Sequence, residues 1–153
     1  MILGRKKAIL KTANDLYESM TKYSRVKSNF YKTVSPLDIK SVDEKVLKAL
    51  MQYPEIATCI CPNDVPFILF CVECNFVESV KWFLNHSPKK DIKDKQNRKN
   101  IAIYAYELDL KEILDYCIEK CPQLLQEPDI NGITVFTRME NDKKIKELTN
   151  KKG

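Results

Sequence analysis

Six cysteines and a single histidine are the residues of this 153-residue chain best suited to chemistry. The cysteines fall in pairs: Cys59-x-Cys61, Cys71-x-x-Cys74 and Cys117-x-x-x-Cys121. Two such pairs could offer four thiolates to a tetrahedral zinc ion. The surrounding apolar spacing favours a plainer role, because Cys71 and Cys117 fall at positions of small or apolar residues, where a free thiol acts as a small hydrophobe. Cys59 and Cys61, in a linker, are left without that explanation. His86 stands at the end of a helical segment beside Pro88, where it caps the helix or faces water. A catalytic triad needs a base within hydrogen-bond reach of its nucleophile, and no paired carboxylates stand out from ordinary helix charges. Only three glycines, none in a phosphate-loop arrangement, argue against a nucleotide site of that type, and the chain is expected to be non-catalytic, with no metal and no cofactor.

The elements that carry these residues recur at a fixed interval. Pro54, Pro88 and Pro122 are evenly spaced, at a period of about 34 residues that is typical of helical repeat units. Each follows the same apolar pattern: Val42, Val46, Ala49 and Leu50; Phe76, Val80, Phe83 and Leu84; Leu110, Leu114, Cys117 and Ile118. The spacing i, i+4, i+7, i+8 is one stripe of an α-helix. A proline lacks the amide hydrogen and crowds the preceding turn, so each helix must end at or before it. After each proline and a linker comes a shorter apolar segment, at 65–71, 99–105 and 134–140. Pro66 and Asn100 are separated by the same period, and Asn100 and Val135 by one residue more. These segments are expected to be inner helices antiparallel to the longer outer ones. Asp94-Lys95-Gln96-Asn97 and Asp129-Ile130-Asn131-Gly132 precede the last two and mark tight turns.

Asp129-Ile130-Asn131-Gly132-Ile133-Thr134-Val135-Phe136 resembles the ankyrin repeat consensus D-x-x-G-x-T-P-L-H, with Val-Phe replacing Pro-Leu. Pro66-Phe67 resembles the start of the inner helix in an earlier copy, and Asn97 stands where the turn glycine is expected. No intact T-P-L-H occurs, and the resemblance covers residues 42 to 148. It implies an all-α fold, an ankyrin-like stack of antiparallel helix pairs with an N-terminal helical cap. The expected division is a basic helical segment at 1–35, a repeat domain at 36–148 and a disordered tail at 149–153. The first copy shows only its outer helix, from about Asp43 to Tyr53, and the last a short, charged outer helix with Ile145 and Leu148 spaced to pack.

Charge is unevenly placed. Residues 1 to 33 hold eight Lys and Arg against Asp15 and Glu18, while the rest balance 18 basic against 19 acidic residues. A helix from about Arg5 to Lys22, with Ile9, Ala13, Leu16, Tyr17 and Met20 on one face, is expected there, as a cap or as the outer helix of a decayed repeat. Such a segment could meet nucleic acid or an anionic surface, although no pattern of stacking aromatics is expected among the charges. The longest apolar run, Val65 to Val72, is too short to cross a bilayer. No secretory signal is read at the start of the chain, so an intracellular, soluble monomer is expected.

The function implied by the resemblance is protein binding through the concave face of the stack. Its expected contact residues are Asn63, Asp64, Gln96, Arg98, Lys99, Asn131 and Ile133 at the turn tips. On the inner helices they are Leu69, Val72, Glu73, Ile103, Tyr106, Glu107 and Arg138, with Tyr106 the foremost anchor. Trp82 is assigned to edge packing on its outer helix.

Overall fold

The computed structural model describes residues 2–152. Those residues form seven α-helices and, among them, no β-strand. In chain order these are α1 (Ile2–Met20), α2 (Pro36–Gln52), α3 (Phe67–Glu73), α4 (Val77–His86), α5 (Ile101–Glu107), α6 (Lys111–Lys120) and α7 (Val135–Lys152). The outer helices α2, α4 and α6 lie side by side, and α3, α5 and α7 form a second row. Phe67, Phe70, Phe76 and Phe83 are wholly buried between the rows, together with Leu50, Leu84, Ile101 and Ile103. Each such side chain contributes about 1.5–3 kcal/mol on burial.

The helix limits follow from local chemistry. Ser35 caps α2 by accepting from the Leu37 and Asp38 N–H groups, and Pro36 sits at the first helical position. That makes α2 longer than the helix expected from Asp43. Its earlier turns are amphipathic too weakly to show in the apolar stripe. The caps of the inner helices are Pro66, Asn100 and Thr134, evenly spaced at the period of the prolines. Val135 is thus the first helical residue of α7 and not the counterpart of Asn100. Pro54 and Pro122 open 3-10 turns at Pro54–Thr58 and Pro122–Gln126.

The backbone carries the same period. Asp64, Arg98 and Gly132 have φ of 67°, 57° and 78°, and Asn75 and Asp109, between the helices of a pair, have φ of 57° and 56°. Positive φ is costly for a side chain with a Cβ, and Asn and Asp bear it better than most. Arg98, rather than Asn97, therefore occupies the place of the turn glycine. The loop after Asp94 is one residue longer than the loop after Asp129, which hides this alignment in the sequence.

Two expectations change at the ends. Residues 134–148 do not form a hairpin: α7 is one continuous helix, with Ile145 and Leu148 exposed. Residues 140–147 hold no glycine or proline to end a helix, and their charges keep that half of α7 in water. The helix also runs on through residues 149–152, expected as part of a tail. At the other end, α1 belongs to the same core, with Ile9, Ala13 and Met20 buried. Its Tyr17 ring lies 4.8 Å from that of Phe70, and the Cys74 thiol points to the Met20 carbonyl at 3.5 Å. α1 therefore reaches α3 through Tyr17 and Met20 while also packing against α2 and the Pro54–Thr58 turn. No helix of the described residues is long and apolar enough to cross a membrane.

Candidate functional site

The turn tips are built by aspartates. Asp94 Oδ1 accepts from the Asn97 and Lys99 N–H groups at 2.8 and 3.4 Å, and Oδ2 accepts from the Tyr104 hydroxyl at 2.7 Å. At the following tip Asp129 Oδ1 accepts from the Asn131 and Ile133 N–H groups at 2.8 and 3.1 Å, and Oδ2 from Arg138 at 3.0 Å. Both carboxylates are buried and organise a loop from within. Burial opposes the charge on Asp129, but the Ile133 and Asn131 N–H groups and the Arg138 guanidinium hold it below the usual carboxylate range. Tyr104 is pushed above its ordinary range by burial and by donating to Asp94.

A cavity of about 360 Å³ opens between these tips and the inner helices. It is lined by Asn63 and Val65 from the first tip, Asp94, Gln96, Asn97 and Lys99 from the second, and Glu73, Tyr104, Glu107 and Leu108 from the inner row. Val26 and Lys27, from the segment joining α1 to α2, close one side. That segment is tied to α3 by the Arg25 N–H, which donates to the Glu73 carbonyl at 2.9 Å, and by the Ser24 hydroxyl, which donates to Glu73 Oε1 at 3.2 Å. Burial lifts the Glu73 carboxyl to about 7, against the opposing pull of Ser24 and Lys27. The side-chain nitrogen and oxygen of Asn63 are both buried, and neither has a hydrogen-bond partner. Buried amide groups are nearly always satisfied, so an orphaned pair beside a cavity points to a missing partner.

The structure brings together five of the residues expected on the concave face: Asn63, Glu73, Gln96, Lys99 and Glu107. It separates others from it. Leu69, Val72 and Ile103 are fully buried, and Glu73 is only 3% exposed. All seven residues of α3 are covered, because α4, α5, the Pro54–Thr58 turn and the Ser24–Arg25 segment enclose a helix that is apolar almost all round. Tyr106 is half-buried against the core and does not line the cavity. Asp64, Arg98, Asn131 and Ile133 are exposed at the tips. Arg138 is engaged within the chain, with Glu107 at 3.2 Å and Asp129 at 3.0 Å, while Lys99 reaches Glu107 at 2.9 Å. Lys27, Asp94 and Tyr104 are not among the expected contact residues. The recurrence of Asp94 ahead of Asp129 could have revealed the second, whereas nothing local to Lys27 signals its place.

The chemistry-bearing residues are otherwise placed. Cys61, Cys71, Cys74, Cys117 and Cys121 are buried and Cys59 is half-buried, all as free thiols. Burial pushes Cys61 and Cys117 up to about 12, and Cys71 and Cys74 well above the usual thiol range. Among the described residues no group of His, Cys, Asp and Glu side chains is arranged to hold a metal ion. His86 is exposed, its ring stacked on Trp82 at 4.8 Å and its Nδ1 2.8 Å from the Trp82 carbonyl. Trp82 is half-buried against the core.

The basic segment departs from expectation. Lys22 lies over the Tyr23 and Phe30 rings at 5.3 and 5.7 Å, and Arg25 and Lys32 lie over Tyr31 at 5.1 and 6.0 Å. Aromatic rings thus do accompany the charges, brought together by the 3-10 turns at Thr21–Tyr23 and Phe30–Lys32. Arg5 is taken up by Glu55 at 2.8 Å and by the Tyr53 ring. No protein-family model, curated protein or solved structure matches this chain.

Proposed function

We propose that the chain is a short ankyrin-like repeat protein that binds a partner protein, without catalysis, in the groove between its turn tips and inner helices. The ankyrin-like reading draws support from the regular recurrence of caps at 66, 100 and 134 and of positive φ at 64, 98 and 132. The single observation that carries binding is the cavity of about 360 Å³ beside the unpaired Asn63 amide, fed by consecutive tips. A non-catalytic role is favoured because the thiols are held protonated by burial and the His86 ring is occupied by Trp82. The six free cysteines suit a reducing, intracellular compartment.

The test is affinity capture from cell lysate with the full chain and with Asn97→Trp, whose indole would fill the cavity from its exposed rim. A protein retained at high salt by the parent and lost by the variant is the expected result. Capture indifferent to Asn97→Trp would overturn the groove as the binding site.

A second reading has its own support in the rings beneath Lys22, Arg25 and Lys32. Cations interleaved with aromatic side chains suit an anionic partner such as single-stranded nucleic acid. Charge reversal at these three lysine and arginine positions tests it in the full chain, which is preferable to truncation because α1 supplies core residues. Binding lost on reversal and falling steeply with salt would favour this reading over the groove.

A further inference from the structure

We propose that the cavity beside Glu73 is a subsite for one cationic side chain, the guanidinium or ammonium group of an arginine or lysine in the partner's segment. This rests on the groove reading and names the chemistry it selects. The floor carries two buried carboxylates, Glu73 and Asp94, beside the unpaired Asn63 amide. Glu73 is 3% exposed, and Oε1 accepts only from Ser24, while Oε2 has no hydrogen-bond partner among the described residues. Asp94, 4% exposed, is already committed to its own turn and to Tyr104, so it adds negative potential without needing the ligand. Asn63 offers an unpaired carbonyl oxygen beside them.

The cations at the rim do not supply what the floor lacks. Lys99 is turned to Glu107 at 2.9 Å, and Glu107 is shared with Arg138. Lys27 is exposed and makes no ion pair among the described residues, so it acts on Glu73 only through a partly screened field. A planar donor fork entering from outside would satisfy Glu73 Oε2 and Asn63 Oδ1 together, while Val65 and Leu108 receive its aliphatic stem. An anionic group would meet two buried carboxylates, and a purely apolar one would leave both Glu73 Oε2 and Asn63 Oδ1 unpaired, whereas a cation leaves only the Asn63 Nδ2 donor.

The experiment is an NMR titration of the full chain at pH 8, above the range in which Glu73 titrates, with methylguanidinium, n-butylammonium and acetate as probes. Saturable shifts of the Asn63 side-chain amide and of the Val65 and Leu108 backbone with either cation, and none with acetate, are expected. Glu73→Gln should weaken the cation by about tenfold or more, and Lys27→Gln should tighten it about twofold by removing a like charge. Should Glu73→Gln fail to fold, Asn63→Ala provides the loss-of-binding arm, and Lys27→Gln remains a surface change. Absence of saturable shifts, or equal shifts with acetate, would overturn the subsite, as would unchanged affinity in the Glu73 or Asn63 variant. If Asn97→Trp abolishes partner capture while the cations leave the spectrum unmoved, the groove stands and the subsite falls. If the cations bind while capture ignores Asn97→Trp, the subsite stands and the groove as partner site falls.

Discussion

Asp43, in the middle of α2, caps the next outer helix through Ser79. Its carboxylate accepts from the Glu78 and Ser79 N–H groups at 2.9 and 3.0 Å and from the Ser79 hydroxyl at 2.6 Å, and its carbonyl accepts from that hydroxyl at 3.1 Å. The residue preceding α4, Phe76, can offer no side-chain cap of its own. A neighbouring helix thus satisfies the orphan donors that every helix N-terminus exposes.

Asp43→Ala takes the acceptor from the Glu78 and Ser79 N–H groups, while the Ser79 hydroxyl keeps the backbone carbonyl at 43, and should cost about 2–3 kcal/mol. Asp43→Asn keeps an acceptor and should cost roughly half as much. Urea denaturation with an unchanged m-value checks both. Equal losses for Ala and Asn would show that the amide-accepting oxygen is not what stabilises the contact.

Stability should fall as pH rises through neutrality. Burial lifts Glu73 from its ordinary 4.5 to about 7, so the folded chain binds more protons than the unfolded chain between those values. Its contribution is whole below about pH 4.5 and is lost as pH rises through 7, by about 3 kcal/mol at most and less for solvent screening. Burial raises Asp43 as well, which acts in the same sense at lower pH. The groups facing Glu73 are Tyr17 from α1, Ser24 and Lys27 from the joining segment, Cys61, Cys74, Asp94 and Tyr104. Glu73→Gln should flatten the decline between pH 5 and pH 8. Parallel profiles for parent and variant would assign the decline to another group.

Arg98→Gly should stabilise the fold by about 0.5 kcal/mol, because relief of left-handed strain slightly outweighs the extra freedom that glycine has in the unfolded chain. Arg98 holds φ at 57° with an exposed side chain, at the position that Gly132 fills in the next turn. Asp64→Gly and Asp109→Gly should gain less, since aspartate tolerates this region better. Thermal melting of the three variants gives the order directly.

Thiol labelling of the native protein at pH 8 should begin at Cys59, the one half-buried cysteine. It should be slow even there, because burial and the nearby Glu55 raise its thiol. Cys71, Cys74 and Cys117 should react only on unfolding. Early modification of any of these three would reveal local opening of the inner or outer row.

The sequence by itself determined the helices and their period. Apolar stripes of spacing i, i+4, i+7, i+8 and the prolines at 54, 88 and 122 are local signals, and helix formation and termination are local events. The turn chemistry was legible to the same degree: Asp129 to Gly132 marked a tip, and only the extra residue after Asp94 shifted the glycine place from Asn97 to Arg98. Tertiary structure alone decided which faces remain open. Leu69, Val72 and Ile103 have the spacing of surface positions, yet neighbouring helices bury them. Ser24 and Arg25 reach Glu73 across the whole of α2, and Lys27 arrives at the cavity with them. Ile145 and Leu148 have the spacing of a packing helix, yet α7 continues unbroken past them and leaves both in water. Burial depends on contacts between distant segments, and a residue's own neighbours in sequence carry no record of them.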